Sequence, residues 1–130
     1  MRSAACTCDP GGVSLRCLIV DDNTFFLEAS TSLLEREGVT VVAVASRSAD
    51  AIRKVQELHP DVVLVDILLG NESGFDLARE LACSDADRPA VILISTRAEA
   101  DFAGLIAQTP AAGFVPKAEL SASEIRRLLG

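Results

Sequence analysis

The chain has no tryptophan, no tyrosine and a single histidine. A mechanism resting on two histidines is therefore excluded, as is a metal site built on a histidine cluster. Long apolar runs are absent too; Val62–Val65 and Ala90–Ile94 are strand-length pieces. A membrane span needs about 20 apolar residues in succession, so none is expected. The start, Met1-Arg2-Ser3-Ala4-Ala5, lacks the apolar stretch of a secretory signal, and a cytoplasmic location is expected. The four cysteines, Cys6, Cys8, Cys17 and Cys83, include no pair at zinc-ribbon spacing. They read as reduced thiols, with a weak metal site at Cys6-x-Cys8 as the alternative. Positive charge is scarce: 12 basic against 19 acidic residues leave a net −7. An acidic chain repels a phosphate backbone, which argues against direct nucleic-acid binding.

What remains is globular. Hydrophobic residues make up 49% of the 130 and charged residues 24%, enough for one domain with its own core. Residues 1–14, with Pro10-Gly11-Gly12, read as a loose tail ahead of a domain spanning 15–130. Leu15–Val20 reads as a strand ended by Asp21-Asp22-Asn23. Thr24–Glu37 has helical spacing, with Phe26, Leu27, Leu33 and Leu34 on one face and Gly38 as its stop. Thr40–Ala45 is a Val-rich strand, and Ser48 is the expected cap of a helix ending before Pro60. Val62–Val65 is a third strand closed by Asp66, with a loop over Ile67–Ser73 and a helix from Gly74 to about Cys83. Ala90–Ile94 and Ala112–Val115 are two more strands. Thr96-x-x-Glu99 and Ser121-x-x-Glu124 read as capping boxes opening the last two helices.

Strands that alternate with helices imply right-handed crossovers and a parallel sheet. The expected fold is a three-layer, doubly wound α/β domain with five strands. Ligands of such sheets bind beyond the C-terminal strand ends. Five polar side chains fall there: Asp21, Asp22, Asp66, Ser95 and Lys117. In a flavodoxin-like strand order, 2-1-3-4-5, all five meet at one edge. Carboxylates about 4 Å apart repel by roughly 4 kcal/mol per pair at an effective dielectric near 20. A bound cation relieves that, and an all-oxygen donor set suits Mg2+.

At this point the sequence resembles receiver domains of two-component response regulators. The matching stretches are Leu18-Ile19-Val20-Asp21-Asp22 and Asp61-Val62-Val63-Leu64-Val65-Asp66 with Gly74 eight residues on. They continue in Val91-Ile92-Leu93-Ile94-Ser95 and Gly113-Phe114-Val115-Pro116-Lys117, so the resemblance covers about residues 14–130. It implies that Asp66 accepts a phosphoryl group from a sensor histidine kinase or phosphotransferase. Asp22, Asp66 and the Leu68 backbone carbonyl would hold Mg2+, with Asp21 acting through metal-bound water. Ser95 would hold phosphoryl oxygens, and Lys117 would pair with Asp66 and then with the phosphate. Ser95 and Phe114 would be switch residues, Phe114 turning inward as the helix near 98–107 repacks. The face of that helix, the fifth strand and the last helix would meet a downstream protein partner. Pairing of phosphorylated copies is a family expectation.

Some positions depart from the family pattern. Ala118 follows Lys117 where many members have Pro, and Gly70 replaces another Pro, which is expected to loosen the loop. Leu68 and Arg97 stand where residues influence hydrolysis, so altered dephosphorylation is expected. Three alternatives stay open: a phosphorylation-independent interaction module, a truncated receiver of a DNA-binding regulator, and an aspartyl-phosphate hydrolase. Dehalogenase-like members of the last class want an acid two residues after the nucleophile, where this chain has Leu68. His59 reads as an exposed loop residue rather than a phosphodonor.

Overall fold

Strand residues that are apolar on both sides demand cover on both sides, and the chain supplies it with helices. The computed structural model describes residues 15–82, 89–96 and 103–129. In chain order these form β1 (Arg16–Val20), α1 (Thr24–Arg36), β2 (Thr40–Ala45), α2 (Ser48–Leu58), β3 (Val62–Asp66), β4 (Leu68–Leu69) and β5 (Glu72–Ser73). They continue with α3 (Gly74–Ala82), β6 (Ala90–Ser95), α4 (Ala103–Gln108), β7 (Gly113–Pro116) and α5 (Ala122–Leu129). The main sheet runs β2-β1-β3-β6-β7, every pair parallel. This is the expected 2-1-3-4-5 order, since β4 and β5 lie outside that sheet.

Alternation along the strands divides the core in two. Cys17, Ile19, Val62, Leu64, Ile92 and Ile94 face α1 and α5, meeting Leu27, Leu34 and Ile125. Leu18, Val20, Val63, Val65, Val91 and Leu93 face the other way, against Ala51 and Val55 of α2 and Leu77 and Leu81 of α3. Ile106 of α4 packs on the edge of this second cluster. Burial on this scale contributes about 25 cal/mol per Å2 of apolar surface, which sets the register of every strand.

Helix ends follow local chemistry in some places and distant chemistry in others. Asn23 caps α1, accepting from the Phe25 and Phe26 amides at 3.0 and 3.2 Å. Gly38 stops α1 as expected: its φ is +93°, and the next amide, Val39, bonds back to Leu34 at 2.9 Å. The Ser48 cap is corrected. Arg47 holds the cap position without a side-chain bond, and Ser48 donates its amide to Glu72 Oε1 at 2.8 Å. α2 closes at exposed His59, whose φ is +48°, and Arg16 reaches across to the Leu58 and His59 carbonyls at 2.7 and 2.9 Å. The box at α5 is half made. Ser121 accepts from the Glu124 amide at 3.1 Å, but the Glu124 carboxylate turns to Arg127. Glu37, at the end of α1, takes the Ala122 amide instead at 2.7 Å.

The predicted loop over Ile67–Ser73 is a hairpin, with Leu68–Leu69 paired to Glu72–Ser73. Gly70 turns it with φ +59°, a value proline cannot adopt, so glycine here closes the turn rather than loosening it. No peptide bond among the described residues is cis, and Lys117–Glu119 forms a 3-10 turn. The Thr96 box, Arg97 and the end of α3 at Cys83 run into residues outside those described, as do Cys6 and Cys8. At one margin of the sheet, Lys54 donates to the Val44 carbonyl at 2.6 Å, occupying an acceptor on the outer strand β2.

One glycine carries the frame of the C-terminal edge. A β-carbon on Gly74 would lie 2.0 Å from the Asp66 carbonyl oxygen and 2.7 Å from the Ile67 α-carbon. Both are backbone atoms and cannot swing away. Gly74→Ala should therefore destabilise the domain by about 3 kcal/mol, read as a lower melting temperature in a thermal scan. Gly104→Ala, with open space around it, should leave the melting temperature unchanged or raised.

Candidate functional site

Parallel strands all end on one side, so residues distant in sequence share one edge. Asp21 follows β1 directly, and its amide extends the ladder by bonding to the Ala45 carbonyl at 2.9 Å. Its side chain is fully buried, whereas Asp22 beside it is exposed. Asp66 is the last residue of β3 and is buried. Its strand partner on β6 is Ile94, and Ser95 comes one residue later, 2% exposed. Ser95 in turn pairs with Pro116, the residue before Lys117.

The three acids converge: one carboxylate oxygen from each of Asp21, Asp22 and Asp66 lies within 4.8 Å of the others. Lys117 enters the cluster from the far end of the sheet. Its Nζ is 2.5 Å from Asp21 Oδ2 and 3.2 Å from Asp66 Oδ2. Three carboxylates against one ammonium leave a formal charge of −2 among these four groups. The remaining oxygens are held by backbone. Asp21 Oδ1 accepts from the Asn23 amide at 2.8 Å, and Asp66 Oδ1 accepts from the Leu68 amide at 3.2 Å. Asp21 Oδ2 makes no hydrogen bond of good angle; its contact with Lys117 is an ion pair alone.

Burial, and then the neighbouring Asp21 charge, raise the Asp66 carboxyl above its ordinary value of 3.8. The Leu68 amide and Lys117 oppose this without cancelling it. Such an edge has the chemistry that suits a hard cation. The donors are oxygens, a formal −2 awaits a divalent charge, and one buried carboxylate oxygen lacks a hydrogen bond. Gly70 borders this edge: a β-carbon there would sit 3.5 Å from Asp22 Oδ2, in ordinary contact. The residues present therefore fit Mg2+.

The structure thus brings Asp21, Asp22, Asp66 and Lys117 together and sets Ser95 at the same edge. Leu68 stands beside them, its amide on Asp66 and its side chain 55% exposed. Phe114 is only 8% exposed and already packed in the core on the α2 and α3 side. The expected inward turn of its ring thus has no exposed starting point here. Phe26, read from its spacing as a core residue, does something else as well: its ring centroid lies 4.4 Å from Lys117 Nζ. Glu72 also went unread, and its helix-capping partner is 24 residues away. The one hint of Phe26 was a tandem of phenylalanines just after the acid pair, in a chain with only five.

The family model for the response regulator receiver domain matches residues 17–129. The chain belongs to the response regulator receiver family. Solved receivers agree in fold. The signal receiver domain of the putative response regulator NarL from Mycobacterium tuberculosis superposes with a TM-score of 0.78 at 26% identity, covering 90% of this chain and 98% of that one. A two-component response regulator of the LuxR family from an Aurantimonas species gives 0.79 at 28% identity, covering 91% and 87%. Among curated proteins, a protein-glutamate methylesterase/protein-glutamine glutaminase of Myxococcus xanthus is 35% identical over 85% of this chain and 32% of its own length. The response regulator GacA of Pseudomonas viridiflava is 32% identical over 79% of this chain and 48% of its own. This receiver chain therefore spans a third to a half of the length of those relatives.

The crowded carboxylates make a stability prediction for the receiver free of divalent ions. Between 3.8 and the raised value, folded Asp66 keeps a proton that the unfolded chain has released. Stability should then fall as pH rises through that interval. Asp66→Asn should flatten this part of the profile and raise the melting temperature by a few degrees at neutral pH, measured by thermal unfolding with chelator present.

Proposed function

We propose that this receiver accepts a phosphoryl group on Asp66 from the phosphohistidine of a sensor histidine kinase or phosphotransferase, in a Mg2+-dependent reaction. The supporting observation is the position of Asp66: last in its strand, with Lys117 at 3.2 Å and two further carboxylates within 4.8 Å. Asp22, Asp66 and the Leu68 carbonyl would hold the ion directly, and Asp21 through water. When bound, the ion supplies positive charge that offsets both the clustered carboxylates and the transferring oxygens.

The chain's own groups account for the rest. The Leu68 amide holds Asp66 Oδ1 and thereby fixes the carboxylate plane. An oxygen of Asp66 attacks phosphorus, the bond from phosphorus to the donor imidazole nitrogen breaks, and the electron pair stays on that nitrogen. On this reading Lys117 moves from Asp66 Oδ2 onto a phosphoryl oxygen, and Ser95 donates its hydroxyl to another. Hydrolysis of the acyl phosphate by water then resets the site. The domain is then a phosphoacceptor that loses its phosphoryl group by self-dephosphorylation, and not an enzyme. The partner-binding face would be α4, β7 and α5, where Leu105 is 46% exposed. This domain would meet a protein partner in the cytoplasm rather than nucleic acid, whether it acts alone or as the receiver of a longer DNA-binding regulator.

Two measurements test this. After incubation with Mg2+ and a small acyl-phosphate donor, intact mass should show a single added phosphoryl group, sensitive to hydroxylamine and lost in Asp66→Asn. No adduct would favour a phosphorylation-independent module. Separately, millimolar Mg2+ should raise the melting temperature of the wild-type receiver, and Asp66→Asn should blunt that rise. A flat response would refute the ion site.

A further inference from the structure

Lys117 has a neighbour that is not an acid. Its ammonium lies 4.4 Å from the centroid of Phe26, inside the roughly 6 Å reach of a cation–π contact. The lysine side chain is 12% exposed and the ring is half-buried, so water screens the contact poorly. We propose that Phe26 is a positioning residue for Lys117, giving its ammonium a berth that persists when the carboxylates are engaged by a divalent ion. The proposal rests on reading Lys117 as the cation that serves Asp66.

The helix turn that carries the ring is tied to the acid cluster itself. Asp21 Oδ1 orients Asn23 through its amide at 2.8 Å. Asn23 Oδ1 then caps the Phe26 amide at 3.2 Å, at the first turn of α1. The Phe26 ring faces Lys117, and Lys117 returns to Asp21 Oδ2 at 2.5 Å. One carboxylate thus anchors both ends of a closed circuit. Phe25, its neighbour in sequence, shares the Asn23 cap through its amide at 3.0 Å, but its side chain is 81% exposed.

The circuit matters because Lys117 and a divalent ion compete for the same oxygens. Both draw on Asp21 and Asp66, and like charges repel. An ammonium with carboxylate partners alone would be driven toward solvent as the ion arrives. The face of an aromatic ring binds a cation without supplying a ligand to the metal, so it keeps the ammonium within reach of Asp66. Leucine at position 26 would fill similar space and pack on α1 without that attraction.

The test compares the wild-type receiver with Phe26→Leu and Phe26→Tyr, each also combined with Lys117→Met. Calorimetry reads the Mg2+ dissociation constant, and NMR reads the ring-current shift of the Lys117 ε-methylene protons. Because the ring carries more of the ammonium's stabilisation once the carboxylates are engaged, Phe26→Leu should weaken Mg2+ binding roughly three- to tenfold and abolish the ring-current shift, while Phe26→Tyr keeps both near wild type. In the Lys117→Met background, Phe26→Leu should change Mg2+ affinity no further. Should Phe26→Leu fail to fold, pentafluorophenylalanine at position 26 keeps the ring's shape and reverses its quadrupole, and the same weakening is expected. Unchanged Mg2+ affinity in these variants, or an equal loss with and without Lys117, would overturn the proposal. Wild-type protein that binds Mg2+ but takes up no phosphoryl group would refute the phosphoacceptor reading alone, leaving the ring's effect on affinity to be judged separately.

Discussion

The double ion pair of Lys117 with Asp21 and Asp66 is the constraint around which the C-terminal edge is built. Two acids with little or no exposure stand in one small volume, and the ammonium they share offsets the repulsion that burial would otherwise leave uncompensated. Only a parallel sheet with β1, β3 and β7 ending together can deliver a lysine from position 117 to acids at 21 and 66. The apolar alternation of the strands fixes that meeting, because a slip of one residue would turn the core faces outward. Hydrophobic register and site geometry are therefore the same fact seen at two scales.

Around the pair, backbone does most of the holding. Asp66 sits on a turn that Gly74 closes through its amide to the Ile67 carbonyl at 3.0 Å, with no room for a side chain. The hairpin from Leu68 to Ser73 forms the adjoining wall. Glu72 fastens that wall to the start of α2 through the Ser48 amide. A cleft lined by Asp22, Arg47, Gly70 and Glu72 lies beside it, so the acid site opens to solvent on this side. The result is a floor of backbone-held acids beneath one shared cation, which suits chemistry that depends on placing charge around a transferring group.

Much of this was legible in the sequence, for physical reasons that differ by residue. Strand identity was legible because burial on both faces leaves continuous apolar runs such as Val62–Val65. The acids were legible because charge at the end of such a run is conspicuous. Gly38 was legible because a helix stop is a local event. The cap of α2 was not: a free amide can be satisfied by any carboxylate in reach, and Glu72 comes from another element. The same holds for Glu37 at α5, 85 residues from the amide it accepts. The hairpin was missed because two-residue strands carry no periodicity. Phe26 was placed correctly on the helix face but assigned only to the core, since spacing shows where a ring lies and not which charge it meets.

The outer strands add a consequence for assembly. On β2, the ammonium of Lys54 already occupies the Val44 carbonyl. On the opposite border, β7 ends in Pro116, which has no amide hydrogen to offer. Both borders therefore resist lateral extension by a foreign strand, which leaves the helical flanks as the faces without such a block.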